Sequence, residues 1–279
     1  MARILDTIPD FVSFARKGGI ESPLIRQQLH QEIYQAAHPE VFEAFFAEQP
    51  ATEGLHALAR ELSKVRRRID DAAAAMPGLI REIDPGVKEA LGVESDREPL
   101  HVLMVGTFST NAFVRKLGDD IAVFHCLEWW SGPQPTKVLI AHESAHAWHQ
   151  IKMGKNPPPD IAWTAFYEGL GVRASREVVP EADENEYFWY GVPGFEDWLD
   201  ACRNIEPELL KLFSEALGSK EGSEAFFGSG LVHKLWRSGF YIADLLLQRL
   251  DLPVRDLAGY SVDKGRKAIH QATREALED

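Results

Sequence analysis

Apolar positions recur at helical spacing through most of the chain. Leu24, Leu29, Ile33 and Tyr34 share one helical face, and Val41, Phe42, Phe45 and Phe46 share another. Pro39 and Pro50 punctuate this stretch. From Leu55 to Ile80 runs an Ala-rich, charged segment with the basic run Lys64, Val65, Arg66, Arg67 and Arg68, followed by Asp70 and Asp71. That alternation of charges predicts a solvated helix face. Residues 1–95 are therefore expected to form a mostly helical N-terminal region.

The pattern changes over residues 93–134. His101–Phe108 and Ile121–Trp130 are rich in β-branched and aromatic residues and predict two strands, with a polar turn at 116–120 between them. Ser131–Pro135 then breaks the chain. Thr136 is the expected cap of a helix over Lys137–Met153, which Gly154 and the turn Asn156–Pro159 end. Asp160 is the expected N-cap of a second helix, Ile161–Val178. Residues 195–277 read as helix, with loops near 218–222 and 228–230, and Leu231–Leu250 as one of the helices. Helices, a small patch of strand, then helices predict a predominantly helical α+β protein. It is expected to be one compact unit, with residues 96–279 carrying the chemistry.

Composition narrows the classes. The chain has 279 residues, 30 basic and 43 acidic, for a formal charge of −13. An acidic surface is a poor match for nucleic-acid phosphates, so no nucleic-acid partner is expected. Cys126 and Cys202 form no CxxC pair and are expected to be reduced, buried thiols. Asp6, Pro9 and Asp10 interrupt any leader-like apolar run, and no apolar run approaches the ~20 residues a bilayer requires. A cytoplasmic protein without a membrane partner is the expectation.

The segment with the most chemical content is Val138–His149, which contains H-E-x-x-H. On a helix, His142 and His146 lie four residues apart and project from one face. Two imidazoles so placed can hold one Zn²⁺ at roughly 2.0–2.1 Å each. Glu143 then sits beside the metal rather than on it, where it can take a proton from a metal-bound water. A third ligand is required. Glu168, 22 residues after His146, is the leading candidate because a carboxylate among Trp163, Ala165, Phe166 and Leu170 needs a partner. Gly169 and Gly171 would let that helix approach closely. His149 competes, but it lies about 10.5 Å along the axis from His142 and would bind only in its place or act on substrate. Glu177 is a weaker alternative.

HExxH followed by a downstream Glu resembles the Glu-type zincin metallopeptidases. The closer resemblance is to a bacterial family of predicted zinc-dependent proteases, known mainly as a domain of unknown function. It is carried by His142–His146, by Glu168-Gly169-Leu170-Gly171, and by Arg237–Ala243, within residues 100–250. The resemblance implies a zincin-like fold with a small sheet beside the HExxH helix. It implies His142, His146 and Glu168 as zinc ligands and Glu143 as the base. Two positions depart from the family. Residue 171 is Gly where the family usually has Ala, a change expected to be minor. Gly239-Phe240-Tyr241 stands where Gly-Tyr-Tyr is usual, so if the family's working hydroxyl is the first Tyr, this chain lacks it.

On the predicted helix Leu231–Leu250, His233, Arg237, Tyr241 and Asp244 fall on one polar stripe. His233, Arg237 or Tyr241 is expected to polarise the carbonyl or bind a substrate carboxylate; a structural network of Arg237 with Asp244 or His233, or simple exposure, is the other reading. Ile121–Trp130 is the candidate substrate-binding edge strand, with Phe124, Trp129 and Trp130 mostly in the core and His125 structural. The expected function is a zinc-dependent metallopeptidase acting on a peptide or protein substrate. The alternatives are a zincin-like metal-binding protein without peptidase activity and a metal-dependent hydrolase of a non-peptide amide.

Overall fold

The computed structural model describes residues 2–47, 51–154, 160–219 and 222–278, with 51–53 described through their backbone. Pro50, the turn at 156–159 and part of the 218–222 loop lie outside the described residues. The expected α+β character is present: many helices surround one small mixed sheet.

The N-terminal region is mostly helical, as expected, but opens on a strand that the sequence pattern missed. Arg3–Asp6 is a strand, β1, which pairs in parallel with β2, Leu100–Met104, in the register Arg3↔Leu100. Arg3 grips Asp120 through two hydrogen bonds of 2.7 and 2.8 Å. Thr7 follows, its hydroxyl donating to the Leu103 carbonyl. Then come α1 (Ile8–Gly18), α2 (Pro23–Leu29), a wide helical turn at His30–Gln35, α3 (Pro39–Phe46) and the long α4 (Ala51–Ala90). Along α4, Leu58, Leu62, Val65, Ile69, Ala72, Met76, Ile80, Ile83 and Val87 are buried at steps of three and four, the seam of an amphipathic helix. Within the basic run Val65 joins that seam, while Arg66 bonds Asp70 and Arg68 donates to the Glu128 carbonyl.

The sheet has the order β1-β2-β4-β3, where β3 is Ala112–Leu117 and β4 is Asp120–Cys126. The sequence pattern missed β3. The expected turn begins at residue 116, whereas the chain stays extended to Leu117 and reverses at Gly118 and Asp119, with Gly118 at φ 59°. A left-handed residue lets a two-residue hairpin follow the sheet twist. β4 lies between β2 and β3, so it is not an edge strand; β3 is. Phe124 stacks on Phe113 in the core.

α5, Pro133–Met153, starts four residues earlier than expected. Gly132 at φ 120° turns the chain, and Pro133 and Pro135 occupy the first turn, where a missing N–H costs nothing. Thr136 is consequently a buried helix residue and not the cap. Residues 140–149 of α5 are buried almost without interruption, which makes it the central helix of the protein. It packs on α4, on the sheet and on α6, Ile161–Val178, which Asp160 caps as expected through Oδ1 to the Trp163 N–H.

The remaining elements are α7 (Glu186–Trp189), α8 (Trp198–Asn204), α9 (Glu206–Ala216), α10 (Gly222–Phe227), β5 (Leu231–Val232), β6 (Leu235–Trp236), α11 (Ser238–Arg249), α12 (Val254–Leu257) and α13 (Val262–Glu278). A single helix over 231–250 does not form. β5 and β6 make a hairpin turned by His233 and Lys234, both at positive φ, and Arg237 at φ 54° leads into α11. The residues of the expected polar stripe therefore do not share one helix face. One buried core takes side chains from Ile8 to Ala276, so the N-terminal helices and the later region share it. Both cysteines are free and buried. Among the described residues, no helix is long and apolar enough to cross a membrane.

Candidate metal centre

α5 presents His142 and His146 from one face, and α6 brings Glu168 against them. The Nε2 atoms of the two histidines are 3.0 Å apart, and Glu168 Oε2 lies 3.1 Å from His142 Nε2 and 3.3 Å from His146 Nε2. Among the described residues these three form the group whose donor atoms converge tightly enough to hold a metal ion. Ligand atoms bonded to a tetrahedral ion at ~2.0–2.1 Å stand about 3.3 Å from one another. The observed triangle is close to that size. The arrangement is also awkward without a cation: two buried imidazole nitrogens face each other, and one of them has to carry a proton to bond the other.

The electrostatics follow from burial and proximity. Burial drives the His142 imidazole down to about 4, against the opposing pull of Glu168. Burial acts the same way on His146, but the adjacent Glu168 outweighs it and holds this ring above its ordinary value. Burial alone would raise Glu168; the nearby His146 charge and the two imidazole hydrogen bonds instead keep it well below the usual carboxylate range. The carboxylate therefore stays ionised and available to a metal. Glu143 lies beside the group, and burial pushes it up to about 7 against the weaker opposing pull of His146. A general base works best when its pKa is near the working pH.

Neighbouring side chains fix these groups. The His146 ring stacks on Tyr167 with centroids 3.9 Å apart, and Gln150 donates to the Tyr167 hydroxyl. Behind α5, Trp148 donates to Asp84, Asp84 lies 3.4 Å from His101, and His101 bonds His125. His125 is thus structural, as expected. His149 is buried against Trp163 and Tyr167 and has no hydrogen-bond partner on either nitrogen; it is not among the three converging groups. Glu177 is not among them either.

The two glycines after Glu168 do different work. A Cβ at Gly169 would meet the Ala243 carbonyl oxygen of α11 at 2.7 Å. A Cβ at Gly171 would meet Cε1, Nδ1 and Nε2 of His142 at 2.7, 2.9 and 3.0 Å. Position 171 is therefore not a minor departure: the His142 ring lies in the space an alanine methyl would fill.

The group opens into a cleft of about 550 Å³. One wall is Ser109–Val114, the approach to and start of edge strand β3, so the strand beside the site is β3 and not Ile121–Trp130. Trp129 reaches this cleft. Of the auxiliary residues expected from sequence, Arg237 lines the cleft. His233 is exposed at the hairpin turn, outside the cleft lining. Tyr241 turns away and donates its hydroxyl to Glu206; the neighbouring Phe240 faces the cleft instead, its ring 6.2 Å from that of His142. Asp244 pairs with Arg176 at 2.9 Å, not with Arg237.

Tyr190 was not visible in the sequence as a site residue. It caps α7 at φ 51°, its ring lies 5.7 Å from that of His142, and its buried hydroxyl makes no well-formed hydrogen bond. The only local hint is Gly191, which follows it in a tight packing against Pro135. Comparison of the chain with protein-family models, with curated proteins and with solved structures gives no match.

Proposed function

We propose that this chain is a zinc-dependent metallopeptidase of zincin-like fold, acting in the cytoplasm on a peptide or protein substrate. The observation that carries the reading is the convergence of His142, His146 and Glu168 donor atoms within 3.3 Å of one another beside Glu143, at the floor of a cleft. Two imidazoles and one carboxylate suit zinc and leave a coordination position open. The ion, when bound, would supply Lewis acidity to a carbonyl oxygen and lower the pKa of water at the site.

The protein's own contribution is positional. Glu143, raised to about 7, accepts the proton of the attacking water and returns it to the departing amine. His142 and His146 are locked by their packing on Gly171 and Tyr167. The β3 wall offers extended backbone along which a peptide can lie.

Metal analysis of the purified protein and hydrolysis of a peptide library test this reading together. Wild type should carry one zinc per chain and cleave peptides. Glu143→Gln should retain the zinc and lose about 10²–10⁴-fold in turnover. Undiminished hydrolysis in Glu143→Gln, or metal-free wild type that still cleaves, would overturn it. Stoichiometric zinc with no cleavage would favour a binding protein on the same fold.

A further inference from the structure

Among the described residues that line the cleft, Arg237 is the only arginine or lysine. The chain holds 43 acidic and 30 basic residues, so a cation has many possible partners. Arg237 nonetheless forms no ion pair with a described carboxylate. Its guanidinium lies 4.1 Å over the Phe240 ring and 5.5 Å from that of Trp189. Aromatic faces hold a guanidinium by cation–π attraction and leave its N–H edge for a planar acceptor.

The place of this edge matters as much as its charge. The Phe240 ring that carries the guanidinium lies 6.2 Å from the His142 ring. The cation is therefore within about three residues of the metal ligands, taking ~3.3–3.6 Å per extended residue. The Tyr190 hydroxyl lies within hydrogen-bonding reach of Arg237, lines the same cleft, and is buried with no acceptor for its own O–H. A buried donor left unmatched inside a cleft points to an acceptor on the ligand. Trp236, nearly half exposed, and Phe227 line the cleft alongside and offer apolar surface.

We propose that Arg237 and the Tyr190 hydroxyl form a carboxylate subsite. The substrates are then peptides that present a carboxylate within about three residues of the cleaved bond, either the C-terminal carboxylate or an acidic side chain. This rests on the metallopeptidase reading of the same cleft.

Binding to the zinc-loaded Glu143→Gln protein, followed by tryptophan fluorescence, tests it without requiring turnover. Three probes suffice: an N-acetylated phenylalanine–alanine–phenylalanine tripeptide with a free C-terminus, its C-terminal amide, and the amide with a central glutamate. At least one carboxylate-bearing probe should bind about 10- to 100-fold more tightly than the plain amide. That preference should vanish when Arg237→Met is added and shrink with Arg237→Lys, which keeps charge but loses the planar fork. Preference for the free C-terminus alone assigns the terminal carboxylate; preference for the glutamate probe alone assigns the side chain. Equal binding of all three probes, or a preference that survives Arg237→Met, overturns the subsite. Wild type that discriminates in binding yet cleaves no peptide would leave the subsite standing and sink the peptidase reading. Cleavage without discrimination would do the reverse.

Discussion

Gly171→Ala puts the geometry of the proposed metal centre to a direct test. The new Cβ would lie 2.7 Å from His142 Cε1, about 0.7 Å inside the 3.4 Å at which ordinary contact begins. Either the ring moves by that order or α6 retreats from α5. Metal–ligand distances tolerate only about 0.2 Å, so a ring shift of this size weakens the bond. Changes to the groups that orient a metal ligand typically cost 10–100-fold in metal affinity, and a loss of that order is expected. Fold stability should change much less. Alanine gains about 0.8–1 kcal/mol over glycine inside a helix, which offsets much of an overpacking cost of about 1–3 kcal/mol. Gly169→Ala is the contrasting variant, because its Cβ would strike the backbone of Ala243, which cannot rotate aside. It should lower the melting temperature more and zinc affinity less. Zinc affinity is read by competition with a chromogenic chelator, and stability by thermal melting of the chelator-treated proteins. If Gly171→Ala binds zinc within twofold of wild type, position 171 does not set where the His142 ring stands.

Two further outcomes concern the scaffold. Asp244 is nearly fully buried and accepts from Arg176 and Gln248, so Asp244→Ala removes a buried partner and should cost about 2–4 kcal/mol, a fall in melting temperature of roughly 5–15 °C. A change under about 2 °C would show that Arg176 is satisfied by Glu184 alone. Glu128 accepts the Gly106 and Phe108 N–H groups, yet burial dominates and pushes its carboxyl up to about 7 from an ordinary 4.5. The folded state thus holds this proton more tightly than the unfolded chain does. Its contribution to stability is complete below about 4.5, is lost as pH rises towards about 7, and is flat above. Glu128→Gln should flatten that part of the slope in urea melts at pH 5 and pH 7.5, even though a lost backbone acceptor lowers stability throughout. An unchanged difference between the two pH values would refute the assignment.

The features legible in the order of residues are local. His142 and His146 share a face because the helix repeat places residues four apart together. Asp160 starts α6 because its side chain reaches a free N–H three residues on, and Gly154 ends α5 because it adopts φ 67° without strain. Glu168 stood out as a carboxylate in apolar company. Non-local features were not legible. β1 is four residues long, and its partner lies near residue 100; no alternation announces a strand whose stability comes from that pairing. β3 was hidden by the charged residues of its exposed edge, and with it the identity of the strand beside the cleft. The polar stripe over 231–250 dissolved because three residues at positive φ turn the chain first. That turn carries Arg237 to the cleft and leaves His233 in solvent, while Tyr241 points to Glu206. Tyr190 and the need for glycine at 171 arise from what packs against His142. Spacing along a helix is set by the backbone of a few residues, whereas a cleft is set by which distant surfaces exclude water from one another.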